Sequence, residues 1–472
     1  MRAILLALML CGCAVTPATQ HPLESALWPA VIVEGETKAS TLAQRMKAQH
    51  VPGLSVALIR EGQLVWSAAH GVEVNGGAVV RKETLFQAGS LAKPLTVLAA
   101  MRMAAAGRSD WDADLGDWLR GLGLQTGAAE AAHPVTLRGL LEHRAGITPG
   151  GYAGYAQDQV VPTLAQILQG GPPANSAQPK VVRQPGSRLM YSGAGYSLAQ
   201  QRLSEQAGED FDALMRRWLL QPLGLQHSDF ALRRPGLEAV ARGHDATGKA
   251  ITGGWKQHPE AAAAGLWTTA EDLARVLIEM RRGWQGRSAV LDQQRLSEFL
   301  ARPVAGHVYG FRLVGEGDAQ FLVHYGGTAG YSAGMAINLH SGQGAVYLAN
   351  GEGGRSLGRE LLMAAAKAEG WAQFQPQLAR RVGFDPTQLA GLVGSYPFPA
   401  SGAKVRVEWT GGELVLVFPN GDRYALMPQA GPPLSFIHLA SGVEARFIQR
   451  AGSEPRLVLY GDEAEREASQ AR

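Results

Sequence analysis

The strand-forming segments of this chain lie in two groups, and a long helix-rich stretch separates them. An early hairpin is predicted from residues 54–60 and 63–68, with Glu61-Gly62 as its turn. Further strands return late in the chain, at residues 309–314, 321–324, 334–338 and 344–350. Because apolar strand faces are buried by pairing into layers, this order predicts an α+β fold. Early and late strands would form one antiparallel sheet, with a helical lobe inserted between them.

A second, smaller unit is predicted near the C-terminal end. Short alternating apolar segments there are separated by Gly411-Gly412 and Asn420-Gly421, which is typical of strands joined by tight turns. We therefore divide the chain into a signal peptide with the start of a tether, an α+β body, a linker and a small β-barrel-like domain, at residues 1–20, 21–375, 376–386 and 387–472.

The composition excludes one class of function. The chain has 472 residues, of which 46% are hydrophobic and 18% are charged, as in ordinary globular proteins. Its formal net charge is only +3, and no long run of Lys or Arg occurs. Nucleic-acid binding therefore has no support.

The pattern of residues at the N-terminus indicates a targeting segment. The apolar run at residues 3–10 is too short to span a bilayer and suits a signal peptide. It ends in Leu10-Cys11-Gly12-Cys13, which resembles a bacterial lipobox, and Cys13 fits better than Cys11 because a small residue precedes it. We expect a lipid on Cys13, with a simply cleaved signal or an uncleaved anchor as alternatives. The expected location is the bacterial cell envelope, at the outer membrane and facing the periplasm.

A candidate nucleophile lies where a helix is predicted to begin after Gly89. Ser90 and Lys93 are three residues apart and share a helix face. A lysine can activate a serine if burial lowers its pKa from about 10.4. The plain alternative is a capping serine beside a surface lysine. Two decoys are discounted: no helix follows the Ser-x-x-Lys at Ser401, and a strand, not a helix, follows Ser332 in its Gly-x-Ser-x-Gly match.

Two further stretches accompany this pair. Tyr191-Ser192-Gly193 lies in a glycine-rich loop ahead of a predicted helix, from which a tyrosine can reach a cleft. His324-Tyr325-Gly326-Gly327 closes a predicted strand, and a glycine N–H there can point at a developing oxyanion. With Ser90-x-x-Lys93, in this order, they resemble the three motifs of the serine β-lactamase-like superfamily. The resemblance is strongest to class C β-lactamases, D-alanyl-D-alanine carboxypeptidases, D-aminopeptidases and family VIII esterases.

The resemblance implies a role for each motif residue. Ser90 would be the nucleophile that forms an acyl-enzyme, and Lys93 its general base. Tyr191 would shuttle protons, with its phenol kept partly ionised by the adjacent lysine. The backbone N–H groups of Ser90 and Gly327 would form the oxyanion hole.

The remaining implications concern substrate, cofactor and partners. His324 and Gly326 would contact the substrate, although His324 has the alternative of a purely structural role. No metal or cofactor is implied. The partners would be a small-molecule or peptide substrate and, through the lipid, a membrane; the oligomeric state is left open.

Two departures from the family pattern bear on the substrate. Gly193 stands where an asparagine is common, and His324 stands where lactamases usually carry a carboxylate-binding lysine. Both favour an ester or amide hydrolase of esterase or peptidase type. The alternatives are a β-lactamase or D-alanyl-D-alanine carboxypeptidase and, from another class, a penicillin-binding or cell-wall-binding lipoprotein with negligible turnover. The body at 21–375 is thus expected to be a β-lactamase- or penicillin-binding-protein-like serine hydrolase domain.

Overall fold

A computed structural model describes residues 21–124, 133–232, 240–399, 403–419, 421–450 and 452–467. The α-helices of these ranges are α1 (Pro22–Ser25), α2 (Leu42–Ala48), α3 (Ala92–Ala105), α4 (Gly116–Gly121), α5 (Leu137–Leu141), α6 (Leu164–Gln169), α7 (Gly193–Ala207), α8 (Phe211–Met215), α9 (Ala261–Ala264), α10 (Ala270–Trp284), α11 (Gln293–Leu300), α12 (Gly354–Glu369) and α13 (Pro386–Ala390).

The strands of the body are β1 (Val31–Val33), β2 (Gly53–Arg60), β3 (Gln63–Gly71), β4 (Phe86–Gly89), β5 (Ile147–Thr148), β6 (Lys180–Val181), β7 (Leu266–Thr268), β8 (His307–Val308), β9 (Phe311–Val314), β10 (Phe321–Thr328), β11 (Tyr331–Ile337), β12 (Gly344–Ala349) and β13 (Gln377–Ala379). Those near the C-terminus are β14 (Gly394–Pro397), β15 (Lys404–Thr410), β16 (Glu413–Val417), β17 (Arg423–Pro428), β18 (Ser435–Ile437), β19 (Glu444–Ile448), β20 (Arg456–Leu459) and β21 (Asp462–Glu465).

The central sheet confirms the predicted α+β arrangement. It has seven strands in the order β3-β2-β12-β11-β10-β9-β8. The early strand β2 pairs antiparallel with the late strand β12, with Ile59 opposite Gly344 and Leu54 opposite Ala349. The helices from α3 to α11 occupy the chain between the two strand groups, as expected for an inserted helical lobe.

The sheet is buried on both faces, because successive side chains of a strand point to opposite sides. On β2, Leu54, Val56 and Leu58 join the apolar cluster that includes α12. Ala57 and Ile59 join the larger cluster that includes α3 and α10. Helix α10 lies directly on the sheet, against β2 and β12, and the first turns of α3 are buried throughout.

Some element boundaries differ from those predicted. Helix α8 is followed directly by a π-helical turn, Arg216–Leu220. That turn packs on α3, where the Arg102 guanidinium donates to the Trp218 carbonyl. Strand β11 begins at Tyr331, ahead of the predicted start at 334, because it continues the antiparallel pairing with β10 up to Thr328.

The C-terminal strands confirm the predicted all-β unit. They form one sheet in sequence order from β14 to β21 around an apolar cluster of their own. The Glu467 N–H donates to the Ser395 carbonyl at 2.8 Å, which brings the last strand against the first and nearly closes the barrel. Strands β14, β18 and β21 were not predicted.

The segment predicted as a linker, 376–386, has structure of its own. It contains β13, which pairs in parallel with β1, so that Val31 lies opposite Gln377. The domain boundaries remain predictions. Across the described ranges, every helix is too short or too polar to cross a membrane.

Candidate active site

Glycines bring β4, the strand before Ser90, against β10. Gly89 has φ +53°, a backbone conformation that favours glycine, and a Cβ there would lie 2.7 Å from the Gly327 carbonyl oxygen. A Cβ on Gly326 would lie 2.0 Å from the Ala88 carbonyl oxygen. Only glycine permits this close approach of β4 to β10. It places the backbone at Ser90 beside that of Gly327, where the oxyanion hole is predicted.

Ser90 is not a capping serine. The residue before α3 is Leu91, and the helix has no side-chain cap. Lys93 is not a surface lysine either, since it is only 2% exposed. The plain alternative for this pair, a capping serine beside a surface lysine, is therefore wrong.

The Lys93 ammonium is held between the serine and the helical lobe. Its Nζ lies 3.2 Å from Ser90 Oγ and donates to the Ala263 carbonyl at 2.7 Å. It also lies over the ring of Tyr191, 4.9 Å from the centroid, and over that of Tyr196, 5.5 Å from the centroid. Burial lowers the pKa of Lys93 to about 7. A large fraction is therefore neutral at neutral pH and available to accept a proton from Ser90.

Tyr191 completes the contact around the serine oxygen. Its hydroxyl donates to Ser90 Oγ at 2.9 Å. Its ring packs on His143 with centroids 4.4 Å apart, and His143 Nδ1 accepts the Ser192 N–H at 3.0 Å, which fixes the loop.

The pKa of Tyr191 moves in the direction opposite to the expectation of partial ionisation. Although 43% of the residue is exposed, desolvation raises the pKa of its phenol, and the hydrogen bond with Ser90 only partly offsets that increase. The hydroxyl is turned towards Ser90. The resting phenol is neutral, so it is suited to donating a proton.

His324 is neutral behind the serine. It is 8% exposed, and burial together with the nearby Lys93 charge lowers its pKa to about 3. Its Nε2 is buried and has no hydrogen-bond partner among the described residues. A neutral imidazole does not form an ion pair with a substrate carboxylate. Substrate contact by His324 and Gly326 remains a prediction.

The position of Gly193 is enclosed. A Cβ there would lie 3.1 Å from Tyr152 Cε2 and 3.1 Å from the Gly150 carbonyl oxygen. Tyr152 is itself fixed, because its hydroxyl accepts from Ser197 Oγ at 2.9 Å. A longer side chain at 193 would have to displace this ring, so the tyrosine takes the space beside the motif.

Two contributors to the site were missed by sequence reasoning. Ala263 acts through its backbone carbonyl, which no side-chain motif reveals. The role of His143 depends on the folded loop, where its φ is +58° and its ring contacts that of Tyr191.

The decoys fall outside this constellation. Ser332 lies within β11, buried, with its Oγ donating to the Glu352 carbonyl at 3.3 Å. Ser401 and Cys13 lie outside the described residues. No group of three or more His, Cys, Asp or Glu side chains within the described ranges is arranged to hold a metal ion.

Comparison with known proteins agrees with this geometry. Residues 39–369 match the family described as Beta-lactamase. Over 381 residues the chain is 28% identical to Penicillin-binding protein 4 of Amycolatopsis lactamdurans, covering 74% of this chain and 93% of that protein. Over 208 residues it is 28% identical to Esterase EstB of Burkholderia gladioli, covering 42% and 52%.

The fold is also shared with a solved structure. The octameric penicillin-binding protein homologue from Pyrococcus abyssi matches with a TM-score of 0.62 and 20% identity, covering 90% of this chain and 98% of that one. The predicted family and fold are thereby confirmed. The chain belongs to the Beta-lactamase family of serine hydrolases.

Proposed function

We propose that this protein hydrolyses an ester or amide through an acyl-enzyme on Ser90 and is of esterase or peptidase type. The observation that carries the proposal is the buried Lys93 with Nζ 3.2 Å from Ser90 Oγ, joined by the Tyr191 hydroxyl at 2.9 Å. A lysine whose pKa is lowered by burial is partly unprotonated near neutral pH, so it can accept the serine proton. A neutral phenol beside it can supply a proton to the leaving group.

The steps balance within these three side chains. Lys93 accepts the Ser90 proton as Oγ attacks the carbonyl carbon, and the oxyanion faces the backbone N–H groups of Ser90 and Gly327. Tyr191 protonates the leaving group and regains a proton from Lys93. In the second half, water gives a proton to this pair as it attacks the acyl carbon, and Ser90 is released with its proton restored.

Two features support an ester or simple amide over a β-lactam. His324 is uncharged at neutral pH, so it offers no cation for the carboxylate that β-lactams carry. Gly193 offers no side-chain amide for an acylamido group, and the Tyr152 ring lines that space. The esterase among the relatives agrees with this choice.

The rival function is penicillin binding without turnover. Similarity to a protein named as penicillin-binding is the observation that favours it. It needs an acyl-enzyme that water does not attack. Here a base with a pKa of about 7 and a proton donor both contact the serine oxygen, an arrangement that serves deacylation as well as acylation.

A substrate panel tests the proposal. We expect kcat/KM for a short-chain p-nitrophenyl ester to exceed that for a chromogenic cephalosporin by about a hundredfold or more, with a D-amino-acid p-nitroanilide between them. A higher kcat/KM for the cephalosporin would contradict the proposal. A stable penicillin adduct without ester turnover would instead establish the binding protein.

We further propose that the protein is tethered to the bacterial envelope by a lipid on Cys13. The support is the short apolar run and the lipobox-like residues around it. In a Gram-negative host fed an azide-bearing palmitate, we expect Cys13→Ser to lose the label and to leave the membrane fraction. Cys11→Ser should keep both properties. If only Cys11→Ser lost the label, the lipid would be on Cys11 and the proposal for Cys13 would be wrong.

A further inference from the structure

The catalytic lysine has an anchor that lies outside the three motifs. Apart from Ser90, the hydrogen-bond acceptor of Lys93 Nζ is the Ala263 carbonyl, at 2.7 Å. The Tyr191-Ser192-Gly193 motif offers no side-chain acceptor after its serine, because Gly193 has no side chain and Tyr152 covers that position. The orientation of the Lys93 ammonium therefore depends on how firmly the turn that carries Ala263 is held in place.

Gln200 forms two hydrogen bonds to that turn. Its Oε1 accepts the Ala262 N–H at 3.0 Å, and its Nε2 donates to the Pro259 carbonyl at 3.0 Å. Gln200 is 6% exposed, so both bonds are protected from water. A third contact comes from α3, where Thr96 Oγ1 approaches the Ala262 carbonyl at 3.4 Å.

The side chains of the turn itself do not help to hold the turn in place. Both ring nitrogens of His258 and both carboxyl oxygens of Glu260 are buried without a hydrogen-bond partner among the described residues. The backbone of α9 forms one short turn, with the Ala263 and Ala264 N–H groups donating to the Glu260 carbonyl and the Gly265 N–H donating to the Ala261 carbonyl. A four-residue helix is marginal without outside support.

Gln200 also ties this turn to the tyrosine. It lies on α7, about two turns along from Gly193, where the motif of Tyr191 opens the helix. Helix α7 therefore carries the loop of Tyr191 at its start and, further along, Gln200, which holds the turn that anchors Lys93.

We propose that Gln200 is a positioning residue, which holds the Pro259–Ala263 turn so that the Ala263 carbonyl stays on Lys93. The proposal rests on the proposed function, in which Lys93 is the base for Ser90. Gln200 touches neither substrate nor the reacting atoms, and it acts through the backbone of α9.

A positioning role differs from a merely structural one in its pH signature. The Ala263 carbonyl accepts from the charged form of Lys93, and such a bond favours that form. When the carbonyl moves away, the pKa of Lys93 falls further below its ordinary value. The acidic limb of the kcat/KM profile then moves to lower pH, whereas a general loss of stability leaves the limb in place.

The test compares Gln200→Leu with Gln201→Leu, the neighbouring half-buried glutamine on the same helix, whose amide donates to Glu205 and not to the turn. Rates of a short-chain p-nitrophenyl ester are measured from about pH 5 to about pH 9, with thermal unfolding alongside. We expect Gln200→Leu to lower kcat/KM about tenfold to a hundredfold and to shift the acidic limb to lower pH. Gln201→Leu should match the wild type.

A second variant covers the case in which Gln200→Leu fails to fold. Gln200→Met removes both hydrogen bonds to the turn and keeps an uncharged side chain of similar length, so we expect a shift in the same direction. An unshifted limb in every folded Gln200 variant, with or without a lower rate, would overturn the proposal. Absence of any Ser90-dependent turnover in the wild type would instead be a failure of the proposed function.

Discussion

Ser90→Ala is expected to lower kcat for ester hydrolysis by about 10⁴-fold or more. The hydroxyl of Ser90 is the acceptor for both Lys93 Nζ and the Tyr191 hydroxyl, so its removal leaves these groups with no nucleophile between them. The residual rate would come from binding and from the oxyanion donors alone. Steady-state assays with a short-chain p-nitrophenyl ester measure the loss, and mass spectrometry of a fluorophosphonate adduct locates the reacting residue.

Two serine variants serve as controls for this experiment. Ser332→Ala, within β11, and Ser401→Ala, in the second Ser-x-x-Lys, should both keep wild-type kcat and remain labelled at Ser90. An adduct on Ser332 together with an active Ser90→Ala protein would falsify the assignment. The free energy of unfolding should change little in Ser90→Ala, because Ser90 is only partly buried.

Much of the fold and of the site could be predicted from the sequence, because the features concerned are local. The hairpin around Glu61-Gly62 and the strands at residues 321–324 and 344–350 follow from alternation and turn residues. Their pairing in one sheet follows from the need to bury both groups of strands. Ser90, Lys93 and Tyr191 were named because motif order survives in sequence, and the structure brings these three side chains together.

What could not be predicted depends on the tertiary environment. The pKa of Lys93 was expected to fall, but its anchor on Ala263 is a backbone contact between segments far apart in sequence. The pKa of Tyr191 was expected to fall beside a cation, but desolvation of the phenol raises it. The place of Tyr152 over Gly193 depends on the path of a loop, and loops carry little periodic signal.

Lys93→Met is expected to lower kcat/KM by about 10²- to 10⁴-fold, the range for loss of a general base. Methionine keeps the length and apolar body of the side chain and removes the proton acceptor. The pH profile gives a sharper result than the rate. In the wild type, kcat/KM should fall as pH drops below about 7, where Lys93 becomes protonated. The residual activity of Lys93→Met should lack this limb.

Stability separates loss of the base from loss of the fold. Burial depresses the pKa of Lys93 in the folded state, so the unfolded chain binds the proton more tightly and folding is penalised. Lys93→Met should therefore unfold at a higher temperature than the wild type. The gain should be largest below about pH 7 and shrink as the pH approaches the ordinary lysine value of 10.5. Lys47→Met, on the exposed side of α2, is the matched control and should show neither effect. An active Lys93→Met protein that keeps the acidic limb would remove Lys93 from the mechanism and place the titrating base elsewhere in the site.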